Sequence, residues 1–218
     1  MTMARTTIFA LSFIILFTFS PVQAEIVTKH VATDAEMLGY ISDTLFVAEG
    51  RIGDLGGYAT FELDVGSDTG DPSQTENYAW QSGATEPFTV SYDPLTSVVT
   101  FSLGGKTLSF TTPYFDFDQI FVRTRAVNAG SSVEIKDIAL DGAAINDHSY
   151  ADGNTGLDIL WILGADLNDG FVFQANAVLS WEGAPPTQSR LAFQVKVGKL
   201  GMVAGEDFSW GSIKNLGN

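Results

Sequence analysis

Apolar and polar residues alternate with a period of two along most of this chain, which is the signature of half-buried β-strands. Ala59, Phe61, Leu63 and Val65 fall on one side, with Thr60, Glu62 and Asp64 on the other. Phe88, Val90 and Tyr92 alternate with Thr89 and Ser91, and Val99, Phe101 and Leu103 with Thr100 and Ser102. Leu191, Phe193, Val195 and Val197 repeat the pattern, as do Phe171, Phe173, Ala175, Ala177, Leu179 and Trp181. Each reads as a strand of a sheet with one wet face.

The punctuation agrees. Gly104-Gly105 separates two alternating runs, and paired glycines suit a type I′ hairpin because both central residues need φ > 0. With Asp93-Pro94-Leu95-Thr96 as a second turn, residues 88–110 predict a three-stranded meander. Between Ile135 and Ile138 the apolar phase slips by one near Asp137, which predicts a β-bulge. Ile159-Leu160-Trp161-Ile162-Leu163 is apolar on both faces and predicts a strand in the middle of a sandwich. Residues 32–37 fit one short helix. About a dozen short strands predict an all-β, jelly-roll-like sandwich of antiparallel strands, with a closed barrel as the alternative.

The first 24 residues break the pattern. Arg5, an apolar run over 8–19, Pro21 and then Val22-Gln23-Ala24 have the three parts of a cleavable signal peptide. The run is shorter than the roughly 20 residues a spanning helix needs. The expected product is therefore an exported protein, secreted or periplasmic, with residues 25–218 as a single β-sandwich domain. No cysteine is present, so lipid attachment and disulfides are excluded, and no C-terminal anchor is visible. Stable membrane insertion after cleavage is not expected. From Glu25 onward 10 basic residues stand against 26 acidic ones, a net of −16. That charge argues against nucleic acid and anionic membranes as partners.

The candidate chemistry is sparse. Trp80, Trp210 and Tyr114, with Tyr78, lie in loop-like segments and are candidate stacking platforms for sugar rings. The acidic loops around Asp68 and Asp71 and around Asp152 are candidates for a structural calcium, which takes six to eight oxygen ligands; no other cofactor is expected. Glu62 and Asp64 share a strand face and resemble part of the Glu-x-Asp-x(x)-Glu strand of jelly-roll glycoside hydrolases. The third carboxylate is absent, since Val65, Gly66 and Ser67 stand there, so two exposed strand acids are the expectation. Arg123 and Arg125 share a face and are expected to pair with sheet carboxylates. His148 sits in a polar loop without a second metal-ligating neighbour.

FVAEGRIG at 46–53, NYAW at 77–80, PFTVSY at 87–92, IFVRTRA at 120–126 and GAPPTQSRLAFQVKVG at 183–198 resemble the choice-of-anchor W domain. The resemblance spans about residues 45–200. It implies a bacterial extracytoplasmic β-domain with no assigned reaction or ligand residues. The functional expectation is a non-enzymatic surface, matrix or adhesion component, whose partner is an extracellular polysaccharide or another surface protein. A carbohydrate-binding module is the alternative, and a degenerate jelly-roll glycoside hydrolase comes third.

Overall fold

The computed structural model describes residues 25–53, 61–67 and 72–201. Residues 1–24, with the expected signal peptide, fall outside them. Fourteen strands and one helix lie in the described residues, and no described helix is long and apolar enough to cross a membrane.

The strands form two antiparallel sheets. The first runs β1 (Val27–Val31), β12 (Leu157–Leu163), β8 (Gln119–Ala126), β14 (Leu191–Leu200), β2 (Ile41–Arg51), β3 (Leu63–Gly66), β4 (Pro72–Glu76). The second runs β10 (Ala143–Ala144), β9 (Ser131–Leu140), β13 (Phe171–Trp181), β5 (Thr85–Asp93), β6 (Val98–Leu103), β7 (Lys106–Thr111), with β11 (Ser149–Asp152) also on β9. Four pairings nest inside one another: β2 with β14, β5 with β13, β8 with β12, and β9 with β11. Two further pairings, β8 with β14 and β9 with β13, close the roll. A long hairpin folded over in this way is a jelly roll, so the expected sandwich is found and a closed barrel is not.

Inward residues follow the alternation. Phe88, Val90, Phe101, Phe173, Val122, Phe193 and Val195 are among the buried side chains of one core between the sheets. The meander is β5–β6–β7, and Gly104 and Gly105 have φ of 56° and 78°. At the expected bulge, the β9–β13 register shifts between Gln174 and Asn176. Asp137, the extra residue, takes φ 53°, and its carboxylate accepts a hydrogen bond from Asn176 Nδ2 at 2.9 Å. Aspartate tolerates this left-handed conformation better than most residues.

β12 is not the central strand that its double apolar pattern predicts; it is next to the edge strand β1. Its outer face is dry because a second core covers it: Ile159, Trp161 and Leu163 pack with Val31, Met37, Ile41 and Phe121. The helix α1 (Asp34–Tyr40) supplies this cover, starting and ending slightly later than residues 32–37. Thr33 caps it, accepting from Glu36 N at 3.1 Å, which satisfies one of the free N–H groups of the first turn. Tyr40 and Phe121 stack on Trp161 with centroids 4.4 and 5.5 Å away. The Trp161 indole N–H donates to Gln119 Oε1 at 2.9 Å, so both buried polar groups are satisfied.

Candidate functional site

The two sheets present different outer faces. On the second sheet the register aligns Thr107, Ser102, Thr89, Gln174 and Ala139 in one row across five strands. The adjoining row is Ser109, Thr100, Ser91 and Val172. Six hydroxyls and the amides of Gln174 and Asn176 therefore share one surface. Neighbouring strands lie about 4.8 Å apart and same-face residues nearly 7 Å apart along each strand, so these groups form a regular grid. Charged residues also line this surface, Lys106, Asp137, Asp93 and Asp141 among them.

Two shallow depressions lie on this face. One, of about 650 Å³, is lined by residues that include Thr89, Ser102, Thr107, Gln174, Asn176 and Gly104. The other, of about 580 Å³, includes Ser91, Thr100, Val172 and Asp141. Both volumes fall in the range of small-ligand sites. Tyr78 packs its ring directly on Gly104, where any Cβ would collide with it. Burial, and then the Glu86 carboxylate at its hydroxyl, push Tyr78 up to about 12. Tyr78 thus lies against one residue of the larger depression, and Trp80 is edge-on to the Tyr78 ring at 4.8 Å.

Trp80 is half-buried, packs edge-on against Phe193, and donates its indole N–H to the carbonyl of Arg51 at 2.9 Å. These contacts build it into the end of the sandwich. Tyr114 is 41% exposed in the segment between β7 and β8, beside Phe115 at 74%. Trp210 lies outside the described residues, as do Asp68 and Asp71. Asp152 accepts from the N–H groups of Asn154 and Thr155, each at 2.8 Å. Those bonds, Thr155 first, hold its carboxyl below the usual range. The carboxylate thus closes an Asx turn. Among the described residues no group of three or more His, Cys, Asp or Glu is arranged to hold a metal ion.

The first sheet's outer face carries charge instead. One row reads Asp64, Glu49, Gln194, Arg123 and Ile159. The two acids expected to be exposed are not: Glu62 is 6% and Asp64 8% exposed. Neighbouring strands and the Arg51 side chain enclose Asp64, and Glu62 accepts from Tyr78 N at 3.3 Å. Arg51 bridges Glu49 and Asp64, 3.6 Å from each, with its guanidinium over the Phe61 ring at 3.9 Å. Gln194 Nε2 donates to Glu49 Oε2 at 2.8 Å. One guanidinium cannot neutralise two enclosed carboxylates. Burial first, and then the Glu49 charge, push Asp64 up to about 7 against the pull of Arg51.

Arg123 pairs as expected, though its partner is in the helix rather than the sheet: Nε and Nη2 meet Asp34 at 2.6 and 2.7 Å. That fork, ahead of opposing desolvation, holds the Asp34 carboxyl below its usual range. His148 is exposed. The histidine drawn into a network is His30, which no spacing motif marks.

Comparison with protein-family models finds no matching family, and comparison with curated proteins finds no matching relative.

Proposed function

We propose that this protein is an exported, non-enzymatic jelly-roll domain that holds neutral polysaccharide on the outer face of its second sheet, as a surface or matrix component. The carrying observation is the grid of Thr89, Ser91, Thr100, Ser102, Thr107, Ser109, Gln174 and Asn176. Hydroxyls and amides both donate and accept, which is the chemistry that pairs with the hydroxyls of a sugar chain. Charge selects against other polymers. At −15 for the whole chain, the domain repels polyanions, whereas an uncharged glycan meets the hydroxyls and amides of the grid. The Tyr78 ring, packed on Gly104 at its border, adds apolar surface of the kind that sugar rings stack on.

The signal-peptide pattern and the resemblance to choice-of-anchor W domains support an extracytoplasmic setting. Binding without turnover is favoured because the enclosed carboxylates are committed within the fold. Glu49 is bound by Gln194 and Arg51, Asp64 by Arg51, and Glu62 by the Tyr78 N–H.

Affinity electrophoresis through gels containing neutral glucans, galactomannan or xylan tests the reading. Retardation by at least one of them is expected, persisting at 0.5 M salt because the contacts carry no charge. The double variant Thr89→Arg, Gln174→Arg should abolish it without lowering Tm by more than a few degrees. Free migration in every neutral glycan, or retardation indifferent to the double variant, would refute it.

A further inference from the structure

His30 lies on the edge strand β1, and both of its ring nitrogens face carboxylates. Nδ1 is 2.8 Å from Asp158 Oδ1 on β12, and Nε2 is 3.2 Å from Asp147 Oδ1 in the connection between β10 and β11. The two acids come from opposite sheets, 128 and 117 residues away along the chain. A neutral imidazole has one donor and one acceptor nitrogen, whereas an imidazolium has two donors. An ionised carboxylate only accepts, so this geometry is fully bonded only when the ring carries both protons.

The surroundings keep the proton on the histidine. Asp158 Oδ2 accepts from Ser149 Oγ at 2.9 Å and from Tyr150 N at 3.0 Å. Asp147 accepts from Thr28 Oγ1 at 2.7 Å and from His148 N at 2.9 Å. Each acid is thus fixed as an acceptor by donors other than His30. Desolvation raises the Asp147 carboxyl but is outweighed by the Thr28 hydroxyl, the His148 N–H and His30, leaving it below its usual range. Burial lowers His30, but the bonds and charges of Asp158 and then Asp147 outweigh it and raise the imidazole above 6.5. Two other charges on neighbouring elements are engaged elsewhere. Lys29 donates to the Tyr40 hydroxyl at 3.2 Å, and Glu134, opposite Tyr150 on β9, pairs with Lys136 at 3.4 Å.

We propose that His30 is a proton-operated latch which, when charged, clamps β1 and the β10–β11 connection together across the sandwich and, when neutral, releases one of them. The latch acts on an edge strand: among the described residues β1 pairs within its sheet with β12 alone. Its Thr28 hydroxyl also reaches Asp147, and its Val31 is part of the second core beside Trp161. Opening would loosen the strand that borders that core and free an edge of β12 for another strand.

Hydrogen exchange of the backbone amides of residues 27–31 and 145–150 tests this in the purified protein. Rates are compared at pH 5.5 and 9, after correction for chemical exchange. Protection should fall roughly tenfold at pH 9, the size of one charge-assisted hydrogen bond, while amides of β8 and β14 keep theirs. His30→Gln, which carries no proton to lose, should sit at the open level at both pH values, and His148→Gln should behave like the parent. Equal protection of these segments at both pH values in the parent overturns the latch, as does an undiminished pH step in His30→Gln. If His30→Gln does not fold, ring-proton NMR of the parent decides, since only two histidines are present. A His30 midpoint above 6.5 supports the latch, and one at or below 6.5 overturns it.

Discussion

Replacing Asp64 by asparagine should stabilise this protein at alkaline pH, although it removes one of the two carboxylate partners of Arg51. The Asp64 carboxyl rises from an ordinary 3.8 to about 7 in the fold. Between those values the native state binds a proton that the unfolded chain has lost. Stability therefore falls as pH rises from about 4 to 7, and the full penalty applies above that. At 1.36 kcal/mol per unit, a shift of about three units corresponds to about 4 kcal/mol. The side chain is only 12% exposed, so solvent screening reduces this little. Asparagine keeps the shape and omits the charge, and the shift already includes the Arg51 attraction; Arg51 retains Glu49, the Phe61 ring and the Phe61 carbonyl at 3.3 Å. The expected gain is roughly 2–4 kcal/mol at pH 8, shrinking towards zero near pH 4, close to the carboxyl's value in the unfolded chain. Urea unfolding followed by tryptophan fluorescence at pH 4, 6 and 8 measures it. Taking the difference between parent and variant removes the other titrating groups. An Asp64→Asn protein that is less stable at pH 8, or a difference that does not change with pH, refutes the reasoning.

Three other changes probe separate parts of the fold. Gly50→Ala should cost about 1–3 kcal/mol in urea unfolding, because its methyl would enter the space of the fully buried Phe193 ring; an unchanged midpoint would show that the ring yields freely. Arg123→Ala should cost about 1–2 kcal/mol by removing the two-pronged hold on Asp34 and the docking of α1. The loss should appear first as faster exchange of the α1 amides, and uniform exchange changes throughout the molecule would contradict a local role. Asp152→Ala should cost about 1 kcal/mol by opening its Asx turn. Thermal melts should show the same loss in calcium and in chelator, whereas a loss confined to calcium would assign the carboxylate to a metal.

Local pattern carried much of this structure because strands, turns and bulges are written in neighbouring residues. The meander over 88–110, the turn at Gly104 and Gly105, the extra residue at Asp137 and the short helix after residue 32 all follow from period, phase and backbone preference. The apolar count of β12 was equally legible, but its cause was not. Residues 159–163 read as a strand between two sheets, whereas the outer half of the strand is buried by α1 and β1. Burial on two faces is visible in a sequence, and the identity of the covering element is not.

The candidate sites depended on register between distant strands. Thr89, Ser102, Thr107 and Gln174 are ordinary wet-face residues singly, and they become one row only when β13 pairs with β5. Glu62 and Asp64 read as solvated acids because their own strand alternates. Asp64 is enclosed because β2 places Glu49 opposite it and lays Arg51 across that pair, while Glu62 is held over the Tyr78 N–H. His30 carried no signal at all, since its two carboxylates lie more than a hundred residues away, one on β12 and one in the connection between β10 and β11. Alternation settles which side of a strand a residue takes, because that is a property of its neighbours in the chain. Which residues meet on that side is set by strand order and register, which the nested pairing of the jelly roll decides across the whole chain.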